Sequence, residues 1–157
     1  MKKLILFNIF LLALIASAFS QKAAPMAIPG NLSEAFTRDF PSALETRWMI
    51  EKDSYWVMFD EHGITRAVKY NKKGNWIQKE EKIEIADLPI EVTSGITSDF
   101  NGYDPYEAER VELPNTDVRY NVDLMKGDEY WEVKVSTAGK ILGKTKRTSK
   151  NNWGSMD

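Results

Sequence analysis

Phe36-Thr37-Arg38-Asp39-Phe40 and Ile96-Thr97-Ser98-Asp99-Phe100 decide how this chain is read. Each stretch closes an apolar stripe at i, i+4 and i+8, formed by Leu32, Phe36 and Phe40 in one and by Val92, Ile96 and Phe100 in the other. That spacing puts three large side chains on one helix face. Four short strand-like runs follow each stripe, and each set has a late glycine turn, Lys73-Gly74-Asn75 or Ala138-Gly139-Lys140. A period of roughly 60 residues predicts two copies of one supersecondary unit.

The first helix starts near Asn31 or Ser33 and stops before Pro41, because proline disfavours helical geometry in the residue preceding it. Glu45–Glu51 and Ser54–Asp60 flank Lys52-Asp53, a two-residue hairpin turn. Pairing around that turn sets Ile50 opposite Tyr55 and Trp48 opposite Val57. One hairpin face is then Trp48, Ile50, Tyr55, Val57 and Phe59, the alternation a half-buried sheet requires. His62-Gly63 and Lys73-Gly74 turn the chain into third and fourth strands at Ile64–Tyr70 and Asn75–Ile85. Asp87 is the expected N-cap of the second helix, with Pro89 in its first turn. Gly95 weakens that helix by about 1 kcal/mol relative to alanine. Four more strands fit Tyr106–Leu113, Asp117–Leu124, Asp128–Ser136 and Lys140–Arg147.

Neither helix can bury its stripe alone, and a four-stranded meander with one apolar face needs a cover. The expected fold is α+β: tandem helix-plus-four-strand repeats in one curved antiparallel sheet of about eight strands, with both helices on one face. Residues 1–20 read as a signal peptide: basic Lys2-Lys3, an apolar run from Leu4 to Ala16, and small residues Ala18 and Ser20 before cleavage at Gln21. Residues 21–30 are a flexible lead-in, 31–86 and 87–148 the two repeats, and 149–157 a tail. The protein is expected in the periplasm or outside the cell, with no stable membrane insertion after cleavage. It has no cysteine, so no disulfide staples it.

The chain carries 21 basic and 23 acidic residues; without Lys2 and Lys3 the balance is 19 against 23. Nothing there favours nucleic acid. The one histidine, His62, precedes Gly63 and reads as a turn residue, not a catalytic base. With one histidine and no cysteine, no metal site or cofactor is expected. Asp99–Asp104 lacks the glycine and glutamate spacing of a calcium loop. Glu80 and Glu81 point to opposite strand faces and cannot share a proton, whereas Glu107 and Glu109 share a face. A hydrolase would rest on these glutamates alone, and no enzyme activity is expected.

The register that turns Trp48 and Tyr55 inward turns Arg47, Met49, Trp56 and Met58 outward. Tryptophan, methionine and arginine are enriched at binding surfaces, and an exposed apolar patch rimmed by charge ordinarily has a partner. These four residues are the candidate contacts for a protein partner, with Trp56 as anchor and Met58 as adaptable filler. The alternative is a small-ligand carrier whose cleft between the repeats is lined by Tyr103, Tyr106 or Tyr130.

The pattern Phe40-Pro41-x-Ala43, Trp48, Tyr55-x-Val57-x-Phe59, Gly74-x-Trp76 resembles the PepSY-like periplasmic domains, which are related in fold to the beta-lactamase inhibitor protein. Phe100, Tyr106, Tyr120-x-Val122-x-Leu124, Trp131-x-Val133-x-Val135 and Gly139-x-Ile141 match more loosely in the second copy. The resemblance implies an exported, non-enzymatic protein that grips an envelope or secreted protein, such as a hydrolase, with an open concave sheet. The lack of cysteines departs from the beta-lactamase inhibitor and argues against beta-lactamase as the target.

Overall fold

The computed structural model describes residues 27–150. The expected signal peptide, most of the lead-in and most of the tail lie outside them. Helix α1 (Gly30–Asp39) precedes strands β1 (Leu44–Glu51), β2 (Ser54–Glu61), β3 (Ile64–Asn71) and β4 (Trp76–Ile83). A 3-10 turn (Ile85–Asp87) leads to helix α2 (Ile90–Asp99). Strands β5 (Asp104–Glu112), β6 (Val118–Lys126), β7 (Glu129–Ser136) and β8 (Ile141–Arg147) complete the chain. The eight strands form one antiparallel sheet in sequence order. The fold is the expected α+β curved sheet with two helices.

Both helices cover the same face. Val57 pairs with Val68, Val68 with Lys79 and Lys79 with Glu112, so these residues share a face across the join of the two halves. Leu32, Ala35 and Phe36 of α1 pack on Val57, Phe59, Val68 and Tyr70. Val92 and Ile96 of α2, with Phe100 at its C-cap, pack on Val122, Leu124, Val133 and Val135. The first core is aromatic: the Phe36 ring lies 5.0 Å from Phe59 and 5.6 Å from Trp48, both edge-on. The second is mainly aliphatic. A lysine caps each core at an equivalent place: Lys79 lies 5.9 Å from the Phe40 ring, and Lys144 lies 5.5 Å from the Phe100 ring. Such side chains cover apolar surface with their stems and keep the charge wet.

The hairpin register holds residue for residue: Ile50 opposite Tyr55, and Trp48 opposite Val57. Ile50 itself is half exposed and stands outside the cluster around α1. The helix starts differ from expectation. α1 begins at Gly30 with Pro29 as its N-cap, and the Leu32 N–H donates to the Pro29 carbonyl at 2.9 Å. Asp87 closes the 3-10 turn instead of capping α2, and Pro89 is the N-cap. The reason is local: Leu88 precedes a proline, is extended (φ −64°, ψ 133°) and cannot join the helix. Strand β4 stops at Ile83, since Ile85 has already entered that turn.

Backbone of α2 lies directly against the β7–β8 turn. A Cβ at Gly95 would lie 1.9 Å from the Gly139 carbonyl oxygen, and one at Gly139 would lie 2.2 Å from the Glu91 carbonyl oxygen. Two glycines therefore let backbone meet backbone. In the first half Ala35 stands where Gly95 stands in the second, and the matching turn glycine, Gly74, is looser against Asn31.

Candidate functional site

The sheet face away from the helices carries every sequence-predicted contact residue. Arg47 pairs with Met58 and Met49 with Trp56, so β1 and β2 bring all four together. β3 extends the cluster, with Ala67 beside Met58 and Lys69 beside Trp56. The Trp56 indole N–H donates to Glu51 at 2.8 Å, and the Lys69 ammonium donates to the same carboxylate oxygen at 2.6 Å. The ammonium also lies 5.0 Å from the Trp56 ring. Hydrogen bonds from Lys69 and then Trp56 hold the Glu51 carboxyl below its ordinary range, against the effect of burial. The tryptophan side chain is thus held in one orientation by its neighbours on β1 and β3. Arg47 is exposed, and Met49 and Trp56 are half-buried. Met58 differs from the expectation of an exposed filler. It is only 5 % exposed and forms the floor of the cluster between Arg47 and Ala67.

A second group occupies the middle of the same face, where the two halves meet. Glu80 of β4 and Glu109 of β5 are joined by one amide: Asn121 Nδ2 of β6 donates to Glu80 at 3.3 Å and to Glu109 at 3.1 Å. Gln78 Nε2 donates to Glu80 at 2.5 Å, and Arg119 Nη2 donates to Gln78 at 3.2 Å. Burial, then the charge of Glu80, pushes the Glu109 carboxyl up to about 8. Burial also raises Glu80, outweighing the hydrogen bond from Gln78. Burial and the neighbouring negative charge both favour the protonated form of Glu109.

Glu107 and Glu109 share this face as expected, opposite Asp123 and Asn121. Glu81 points the other way and pairs with Arg66 at 3.2 Å. The partnership of Glu80 with Glu109 was not foreseen. It depends on the β4–β5 register, and the chain between those strands runs through α2, so no turn length sets it.

The three tyrosines of the alternative carrier site fall in two places. Tyr103 packs edge-on against Phe100 at 5.7 Å, while Tyr106 meets Tyr130 at 6.3 Å. A cleft of about 180 Å³ does exist between the two halves, but none of these tyrosines lines it. Its walls are charged, with Arg66, Lys79, Glu81, Arg110 and Glu112 beside Phe40. Among the described residues no group of acidic or histidine side chains is arranged to hold a metal ion. His62 sits in the β2–β3 turn with φ 56°. No described helix is long and apolar enough to cross a membrane.

No protein-family profile and no curated protein matches this sequence. Solved structures do resemble it. A DUF2874 family protein from Bacteroides uniformis superposes with a TM-score of 0.72 at 15 % identity, over 80 % of this chain and 94 % of the other. A protein from Bacteroides eggerthii assigned to the periplasm gives 0.72 at 16 % identity, over 78 % and 91 %. A BLIP-like protein from Bacteroides fragilis gives 0.67 at 18 % identity, over 85 % and 96 %. At these identities the likeness establishes the fold alone, a BLIP-like sheet with its helices on one side.

Proposed function

We propose that this is an exported, non-enzymatic binding protein of the PepSY-like type. It presents the sheet face opposite the helices to an envelope or secreted protein and acts as an inhibitor or regulator of a hydrolase. The observation that carries this reading is the cross-strand cluster of Arg47, Met49, Trp56 and Met58 on the face that neither described helix covers. A Trp56 already held by Glu51 and Lys69 loses little side-chain freedom on binding. The BLIP-like fold and the periplasmic assignment of a structural neighbour are compatible with it.

Affinity capture from the native envelope tests the reading, with mature protein from Gln21 onward beside Trp56→Ala and Met49→Ala versions of matched thermal stability. Met58 is left intact because truncating a buried methionine costs stability by itself. A protein recovered by the parent and lost from both variants is the expected result. Equal recovery by all three would remove the first hairpin from the interface.

A further inference from the structure

The carboxylate pair in the middle of the open face is built unlike the ion-paired glutamates of the same sheet. Glu51, Glu61, Glu81, Glu107, Glu129 and Glu132 each have a lysine or arginine in an ion pair. Glu80 and Glu109 do not. Among the described residues both are hydrogen-bonded only by neutral amides, Gln78 and Asn121. A second observation points to a missing donor. Asn121 is only 9 % exposed, its Nδ2 is spent on the two carboxylates, and its Oδ1 is buried with no partner. A buried acceptor without a donor costs about 1–3 kcal/mol. Among the described residues Asn121 thus links two carboxyl groups that have no ion-pair partner of their own, and its own carbonyl oxygen is left without a donor. Both glutamates stay partly exposed, so the place can be reached from solvent.

We propose that Glu80, Glu109 and Asn121 form a receiving site for one positively charged side chain, lysine or arginine, presented by the protein that docks on this face. A cation there donates to both carboxylates and to Asn121 Oδ1, replacing the proton the pair otherwise keeps. The inference rests on the protein-binding reading above and adds the chemistry of the partner. It also sets the partner's footprint, which spans from Trp56 on β2 to Asn121 on β6.

The test uses mature protein and three blocked pentapeptides, alike except for a central lysine, arginine or glutamine, at matched ionic strength. Carboxyl and side-chain amide resonances are followed by NMR. Lysine and arginine peptides are expected to move the Asn121 amide signals and to shift the Glu109 titration to lower pH, releasing a proton. The glutamine peptide should do neither. Glu109→Gln and Asn121→Ala should abolish the response, while Glu112→Gln, which removes a charge on the helix side, should keep it. No response to either cationic peptide, an equal response to the glutamine peptide, or an undiminished response in Glu109→Gln would overturn the site. Failure of the wider reading looks different. A captured protein lost with Trp56→Ala but retained by Glu109→Gln keeps the open face and discards the cation site. Capture indifferent to Trp56→Ala discards the hairpin interface whatever the peptides do.

Discussion

At the scale of single residues, Glu109 gives the chain a pH dependence that most surface carboxylates lack. Its folded value of about 8 lies above the ordinary 4.5, so the native state holds a proton that the unfolded chain gives up. The stabilising contribution is complete below the ordinary value and is lost as pH rises through about 8. Glu80 is shifted the same way. The charged groups placed round the pair on the same face are Lys69 of β3, Lys82 of β4, Glu107 of β5, Arg119 and Asp123 of β6, and Lys134 of β7. Melting temperature should therefore fall by several degrees between about pH 5 and about pH 9. Glu109→Gln should flatten that slope, matching the parent at the acid end and melting higher at the alkaline end. Thermal melts across the range check it, and an unchanged slope in the variant would unlink Glu109 from stability. The sequence shows Glu109 on a strand face with Glu107. It does not show Glu80 beside it, because that neighbour arrives from another repeat.

At the scale of elements, α2 shows how a local rule can be right about propensity and silent about cause. Gly95 costs its helix about 1 kcal/mol relative to alanine. The residue is there because the Gly139 carbonyl occupies the space a Cβ would need. Gly95→Ala should thus destabilise the protein by about 2 kcal/mol or more, since overpacking against rigid backbone outweighs the propensity gain. Gly30→Ala, in the first turn of α1 with open space around it, should be neutral or slightly stabilising. Urea unfolding of the two variants separates the explanations, and a stabilised Gly95→Ala would refute the packing argument. Strands, turns and the β1–β2 register were legible because each follows from the alternation of a few neighbours and a two-residue turn. The starts of α1 and α2 were not. Prolines at 29 and 89 serve as the caps, and Asp87, the expected N-cap of α2, does not.

At the scale of the whole molecule, two cores share one sheet. On the helix side they are separated by the charged cleft of Arg66, Lys79, Glu81, Arg110 and Glu112. Little apolar contact ties one core to the other, and the β4–β5 ladder carries the join. Phe59→Ala should cost about 3–5 kcal/mol, because Phe59 is buried against Phe36 and Phe40. Native-state hydrogen exchange should show that loss mostly in β1–β3 and much less in β6–β8. Equal loss throughout would mean one cooperative core. The α+β class, the eight strands, the two helix stripes and the residues of the first hairpin that share a face can all be read from the chain alone. Those follow from periods of 3.6 and 2, which neighbouring residues carry. That Met58 is a floor, that Gly95 meets Gly139, and that Glu80, Glu109 and Asn121 converge emerges only in the folded molecule. Each depends on a contact across the sheet or between helix and turn, whose register is set by packing over many residues and leaves no local period to read.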